Sequence, residues 1–442
     1  VAKSSRKAAE NLLQNEDLRR KLGFTFFCLL IYRIGVHVPT PGINTSAVQE
    51  FFQNQSGLFG LFNTFTGGAL NQFSVFALGI MPYISASIIF QLLQTSIPHL
   101  QALKKEGESG RKKITQYTRW STVVLALVQG YAISSWLSSQ GSPSGEALFF
   151  PQVGVIPFKL MTIITLTAGT CFIMWLGEQI SEYGLGEGAS LIIYAGIAAG
   201  IPSGAVGLYT RAMSEGGFGF IGMLGILAAM LAVVGAILFF EVAQRRVPIH
   251  VSQRGGPKGQ VMGSYLPLKL NISGVIPPIF ASSILMAPST LMSFSEAQWI
   301  QSLNNWFNPM GVNPGLYYIF FVLLIVFFCF FYTEIVFPPE ETAENLKKSG
   351  KFIPGVRAGN STAEYIQKIT ERLNVAGAAY LSLICILPTI LIKAFQFNFY
   401  FGGTSLLILV GVALHMLEKI NAYRYEAMIK ASQKPRKRRV RF

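Results

Sequence analysis

The sequence predicts an all-α integral membrane protein of ten spans arranged as two five-span halves. Three observations predict it: a composition too apolar for a water-soluble globule, apolar runs that recur at bilayer-crossing length, and a motif in the second run that returns in the seventh. Of the 442 residues, 51% are hydrophobic and only 13% are charged, whereas a soluble domain carries roughly 25% charged residues. Mean hydropathy is +0.44, and runs near or above the ~20 residues needed to cross a bilayer occur along the whole chain. A single solvent-exposed domain is therefore excluded.

Taken in order, residues 1–21 make a polar N-terminal segment. Lys3 to Lys21 holds no apolar h-region, so insertion is expected to proceed through the spans themselves. Leu12, Leu13 and Leu18 fall among Arg6, Glu10, Asp17 and Arg19, which fits an amphipathic helix on the membrane surface and equally a solvated helix. Spans are expected at 22–38, 74–97, 120–138, 160–177, 188–201, 218–240, 270–292, 315–337, 373–392 and 402–418. The fifth is short and glycine-bearing, as a tilted or broken helix would be. Spans one to five make an N-terminal half (22–201), 202–217 is an external hinge loop, and spans six to ten make a C-terminal half (218–418). That half carries long loops at 241–269 and 338–372, and a basic tail fills 419–442.

Charge fixes the expected orientation. With ten spans, one side collects the N-terminal basic residues, Lys104 to Lys113, Arg245 to Lys258, Lys347 to Arg372 and the tail. The other side has Lys159, Arg211 and Lys393 as its only basic residues, and none between Pro39 and Phe73. Both termini are therefore expected to be cytoplasmic. The segment Glu178 to Glu187 is acidic on the same side, but carboxylates weigh little in this rule.

The internal echo sets Gly79-Ile80-Met81-Pro82-Tyr83-Ile84-Ser85-Ala86-Ser87 beside Gly274-Val275-Ile276-Pro277-Pro278-Ile279-Phe280-Ala281-Ser282. Proline early in a span is expected to kink it, and the small residues that follow allow close helix contact. Matching interrupted spans in two halves point to a transport pathway, against the alternative of two unrelated helices sharing common residues. Between them in kind lies Gly57 to Gly68, apolar but too short to cross and ending in Gly67-Gly68, which suits a helix terminus. It fits a short re-entrant helix inside the bundle and also an interfacial helix on the outer surface.

The four cysteines, Cys28, Cys171, Cys329 and Cys385, lie singly in apolar runs, and His37, His99, His250 and His415 are scattered, so no metal site is expected. No G-x-x-x-x-G-K-[ST] loop, H-E-x-x-H or G-x-S-x-G occurs, and Gly217 to Gly222, though it spells G-x-G-x-x-G, opens an apolar span. No cofactor is expected, and the energy for any transport must come from a partner.

Four stretches are similar to the SecY family. They are Phe73-Ser74-Val75-Phe76-Ala77-Leu78-Gly79-Ile80-Met81-Pro82-Tyr83-Ile84 through Gln91, and Lys105-Glu106-Gly107-Glu108-Ser109-Gly110-Arg111 through Gln116-Tyr117-Thr118-Arg119. In the second half they are Thr342-Ala343-Glu344-Asn345-Leu346-Lys347-Lys348-Ser349-Gly350 through Pro354-Gly355-Val356-Arg357, and Phe399-Tyr400-Phe401-Gly402-Gly403-Thr404-Ser405-Leu406-Leu407-Ile408. The resemblance implies two pseudo-symmetric five-helix halves around a central hourglass pore, with a short re-entrant plug helix and a lateral gate where the second span faces the seventh. It assigns Ile80, Ile84, Ala189, Ile193, Ile279 and Ile408 to the pore ring, with Ala189 standing where an isoleucine is common. Plug residues at about 57–70 are Leu58, Phe59, Leu61, Phe62, Asn63, Phe65, Gly67 and Gly68; gate residues are Pro82, Ser85, Gln91, Pro277, Ser282 and Ala287. Motor or ribosome binding falls to Arg245, Arg246, Arg254, Lys258, Lys347, Lys348 and Arg357. The implied partners are SecE and SecG, the SecA ATPase, the translating ribosome, signal peptides and unfolded chains, and lipids. The implied place is the inner membrane of a bacterium.

Physics makes such a ring sensible. Ile80 and Ile84, like Ala189 and Ile193, are four apart and share a helix face, and a narrow aliphatic constriction excludes ions without binding a passing polypeptide. Without the family, each isoleucine reads as ordinary helix packing or lipid-facing surface, and it is the resemblance that turns that reading toward a pore. The loop charges likewise satisfy topology alone or bind RNA phosphates and an acidic motor, and the tail run Arg436-Lys437-Arg438-Arg439 suits anionic lipid, RNA or no specific partner. The chain departs from the family pattern at Ala358, where proline is usual, at Glu334, where a small residue is common, and at Gly255-Gly256-Pro257-Lys258-Gly259, where Gly-Arg-Arg is common. A secondary transporter is the competing class, but such proteins bury coupling charges. Here Arg33 lies in a span near an end, where it is expected to snorkel, and Glu178, Glu241 and Glu334 lie at span ends.

Overall fold

The computed structural model describes residues 16–54, 58–139, 147–150, 152, 154–213, 219–251, 264–293, 315–395 and 403–433. Its helices are α1 (Glu16–Val36), α2 (Thr45–Asn54), α3 (Leu58–Phe65), α4 (Met81–Ser96), α5 (Pro98–Lys105), α6 (Glu108–Ser139), α7 (Val155–Tyr183), α8 (Gly188–Met213) and α9 (Gly219–Val242). Strands β1 (Gln244–Val251) and β2 (Ser264–Lys269) follow, then α10 (Ile276–Ser293), α11 (Gly315–Val336), α12 (Pro339–Lys348), β3 (Lys351–Phe352), α13 (Asn360–Phe395) and α14 (Gly403–Gln433). All ten expected spans fall on helices: α1, α4, α6, α7, α8, α9, α10, α11, α13 and α14.

Seven of the helical stretches among the described residues are long and apolar enough to cross a membrane by themselves. Of the other three, α1 carries Glu16, Asp17, Arg19, Arg20 and Lys21 at its start, α4 has only 16 residues because residues 66–80 before it run as turns, and α10, an 18-residue helix, has its side chains described only as far as Leu285. The fifth span, in contrast, is longer than its apolar run. α8 continues to Met213 with Pro202 inside it, so helix occupies most of the stretch where an external loop was expected. Pro202 leaves the Ala198 carbonyl without its helical donor.

The chain divides into two compact units, the first comprising 1–55, 62–201 and 412–442, the second 56–61 and 202–411. In the first, α6 and α7 approach closely through small residues: a Cβ on Gly130 would lie 3.6 Å from the Ile163 Cα. Arg119 on α6 bonds both carboxylate oxygens of Glu178 on α7, at 2.8 and 2.7 Å. Tyr32 of α1 stacks on Phe76, centroids 6.0 Å apart, and Phe76 stacks in turn on Phe172. Leu185 N donates to Thr25 Oγ1 at 2.9 Å, tying the α7–α8 turn to α1.

In the second unit, β1 pairs antiparallel with both β2 and β3, giving the strand order β2-β1-β3. This small sheet was not part of the sequence expectation. It joins the loops 241–269 and 338–372 into one body with a core of its own: Val247, Ile249, Leu268, Leu346, Ile353, Ile366, Ile369 and Leu373. Val247 and Ile249 alternate with exposed Arg246 and Pro248, the period-two pattern of a strand with one buried face. Below it, Asn271 donates to the Glu241 carboxylate at 3.1 Å and to the Gly274 carbonyl at 3.0 Å. Thr333 on α11 donates to the Asn374 side chain on α13 at 2.9 Å. Glu241 and its neighbours thus meet polar partners rather than hydrocarbon.

Candidate functional site

The echoing motifs build the same local structure twice. Gly79 and Gly274 adopt φ of +57° and +65°, a region open to glycine at little cost, and each stands two residues before its helix begins. Pro82 and Pro277 are each the second residue of that helix. There the missing N–H would have had no helical partner, and the fixed φ suits helix entry. The expected proline kink is therefore replaced by a helix start. The backbone before α4 reaches the same end by turns, whose groups are satisfied within the protein: Thr40 N donates to Phe73 O, Val75 N to Val38 O, and Gly79 N to Phe76 O. Irregular backbone at membrane depth requires such cover.

A consequence is that Ile84 and Ile279 are equivalent, each the fourth residue of its helix. A second device repeats as well. α8 opens on Gly188, where a Cβ would overlap the Gly177 carbonyl of α7, and α14 opens on Gly403, where a Cβ would overlap the carbonyls of Ile384 and Cys385 of α13. Each fifth span of a half thus starts in backbone contact with the fourth. Ile193 and Ile408 are again equivalent, each the sixth residue of its helix. All four isoleucines, and Ile80, are buried, with at most 6% of their surface exposed. In the first unit Ile80 and Ala189 converge on Gly177: the Ile80 Cδ1 and the Ala189 N each lie 3.6 Å from where its Cβ would stand.

The segment 58–68 is the piece for which a re-entrant or an interfacial helix was expected. α3 ends in a Schellman turn, with Gly68 N donating to Asn63 O at 2.9 Å and Gly67 N to Thr64 O at 3.3 Å. Gly67 and Gly68 have φ of +68° and +91°. The end is then fastened from outside. Tyr32 donates its hydroxyl to the Thr66 carbonyl at 3.0 Å, and Arg33 Nη1 donates to the Gly67 carbonyl at 2.7 Å. Arg33 therefore bonds inside the protein, where the expectation was that it would snorkel. Gly67 also abuts α8, since its Cβ would lie 2.8 Å from the Gly196 Cα. Phe62 and Phe65 are buried and Asn63 Oδ1 accepts from Asn71 N at 3.1 Å; the side chains of Leu58, Phe59 and Leu61 lie outside the described residues.

Of the gate candidates, Pro82, Pro277 and Ser282 are buried, and Ser85 and Gln91 are partly exposed. Gln91 donates to Ser87 Oγ at 3.2 Å and Ser282 to the Ile279 carbonyl at 2.9 Å. Ala287 falls on α10, but its side chain lies outside the described residues, as do Arg254 and Lys258 entirely. Arg245 and Arg246 are exposed on β1, with the Arg246 guanidinium 4.9 Å from the Tyr265 ring centre. Lys347 and Lys348 end α12, and Arg357 is exposed just ahead of α13, where Thr362 Oγ1 bonds its carbonyl at 2.8 Å. Arg357 was expected within the loop 338–372; α13 in fact begins three residues after it because Ile366, Ile369 and Leu373 pack into the sheet's core. A cation near a helix N-terminus opposes the helix dipole, so local capping does not account for it. Glu334 is exposed where it lines a cavity of about 770 Å³ between α11, α12 and α13, together with Glu340, Glu341, Lys347, Glu364 and Glu371, and that exposure is how a carboxylate is tolerated there.

The SecY family model matches residues 74–417. This chain belongs to the SecY family. It is 44% identical to the protein translocase subunit SecY of Pseudomonas aeruginosa over 427 residues, covering 94% of this chain and 93% of that protein. Against the Escherichia coli K12 protein translocase subunit SecY the identity is 42%, over 94% of each. The fold is also that of solved channels. One is a SecY protein whose plug domain stabilizes the closed state of the translocation channel, with a TM-score of 0.65, 19% identity and 94% and 95% coverage. Another is Sec61 in the canine ribosome-channel complex, with a TM-score of 0.60, 18% identity and the same coverage. Membership of the SecY family makes this a multi-pass helical membrane protein of channel architecture.

Proposed function

We propose that this chain is the protein-conducting channel subunit of a Sec translocase, which passes unfolded secretory polypeptides across the membrane and releases transmembrane segments sideways into lipid. The observation that carries it is the twinned placement of Ile84 with Ile279 and of Ile193 with Ile408, in a member of a family of translocase subunits. Two halves that each present two buried aliphatics, from helices that begin on or just after a glycine, supply a ring that holds no ligand for ions and no strong site for a polypeptide. The segment 58–68 is its plug, and α4 and α10 are the two sides of the gate. The chain carries no phosphate-binding loop, so it acts as a passive conduit. The exposed cations of β1, α12 and Arg357 receive the partner that drives transport, SecA or the ribosome, and the canine relative sits in a ribosome-channel complex. SecE and SecG complete the channel, which lies in a bacterial inner membrane with both termini cytoplasmic, an orientation that the charge asymmetry supports.

The test is a gate disulfide. With Cys28, Cys171, Cys329 and Cys385 replaced, Ser85→Cys and Ala287→Cys are combined and oxidised in membranes. Export of a secreted reporter is expected to stop and to recover on reduction. Cross-linking that proceeds to completion and leaves export unchanged contradicts the gate.

A further inference from the structure

The carbonyls at the end of α3 accept hydrogen bonds from two consecutive residues of α1, and this arrangement has the properties of a latch. Tyr32 is almost wholly buried, with its ring stacked on Phe76, so its hydroxyl is aimed by a rigid wall. Arg33 is half-buried and brings a positive charge to a helix C-terminus, the end at which a cation is favoured. Both bonds run to main-chain oxygens, of Thr66 and Gly67, so they hold the segment without using the side chains of α3. Directly behind, Gly67 rests on Gly196 of α8, three residues beyond Ile193. Within this unit, then, the end of α3 is held between α1 on one side and the helix bearing Ile193 on the other.

We propose that Tyr32 and Arg33 are positioning residues that latch the C-terminal end of the plug to the first span while the channel is shut, and that releasing these two bonds is a step of opening. The proposal rests on the reading of 58–68 as the plug. Opening exchanges the two bonds for hydration of the same groups in a water-filled passage, so the latch is reversible. An ordinary helix cap with no part in gating would leave resting conductance untouched when weakened, and that difference can be measured.

The full channel complex is reconstituted into planar bilayers without substrate, and resting ion conductance is compared at equal channel number. Charged hydrogen bonds contribute more than neutral ones, so Arg33→Gln is expected to raise the open fraction about ten- to a hundredfold and Tyr32→Phe about two- to tenfold. Arg33→Lys, which keeps charge and a donor, falls between wild type and Arg33→Gln. Deletion of residues 58–66 supplies the upper limit. If deletion raises conductance while Tyr32→Phe and Arg33→Gln, at wild-type abundance, match the wild type, the latch is wrong and the plug stands. If deletion itself changes nothing, both are wrong. Tyr32→Phe keeps its ring on Phe76, so it decides the matter if Arg33→Gln fails to accumulate.

Discussion

Alanine at Gly67 separates two costs that the structure places at one residue. The φ of +68° charges any L side chain about 1–2 kcal/mol, but the same strain persists wherever the Schellman turn persists, including in a displaced plug. The second cost depends on seating. A Cβ at Gly67 would lie 2.8 Å from the Gly196 Cα, inside the 3.4 Å at which ordinary contact begins, and both sides are backbone. Overpacking of this kind costs about 1–3 kcal/mol, which shifts the seated-to-unseated ratio about five- to 150-fold. Gly68 is the control: its φ is +91° with nothing within 4 Å of its Cβ, so Gly68→Ala has the strain without the overlap. Resting ion conductance of reconstituted channels is expected to rise with Gly67→Ala and to stay near wild type with Gly68→Ala. Equal leak from both variants, or none from either, refutes the claim that the plug end is wedged on α8.

Two further outcomes follow from the same geometry. Gly188→Val and Gly403→Val each force a side chain into a main-chain carbonyl of the preceding span, so each is expected to lower the thermal unfolding midpoint of the detergent-solubilised complex and to raise resting leak, whereas Gly225→Val, with nothing within 4 Å of its Cβ, does neither. Arg357→Glu reverses an exposed charge and is expected to leave abundance in the membrane normal while weakening motor or ribosome docking about tenfold or more; normal export by the variant as sole copy argues against a docking role.

The spans were legible because hydrophobicity is a local property: each of ten apolar runs became a helix. The twin motif was legible too, but periodicity does not say on which side of a proline a helix lies, so Pro82 and Pro277 read as kinks when they are starts. The sheet was hidden because Val247 and Ile249 sit among Arg245, Arg246 and His250, and a short alternation inside a basic run reads as a charged loop. The stretch after Arg357 read as loop because Asn360 to Arg372 is polar overall, although Ile366, Ile369 and Leu373 carried a helical spacing. The fastening of the segment 58–68 was beyond sequence altogether. Arg33 reaches a carbonyl 34 residues away, and any residue at that position supplies the same acceptor.

In the proposed channel, Ile84, Ile193, Ile279 and Ile408 line one polypeptide path. The direct measurement is disulfide cross-linking to a secretory chain stalled in transit with a single cysteine, using a channel free of its own four cysteines. Cysteine at each of the four positions is expected to link to the stalled chain, and cysteine at Ile164 or Leu231, which are 66% and 71% exposed on spans, is expected not to. Links from Ile164 or Leu231 as strong as those from the four isoleucines, or no link from the four, contradict such a path.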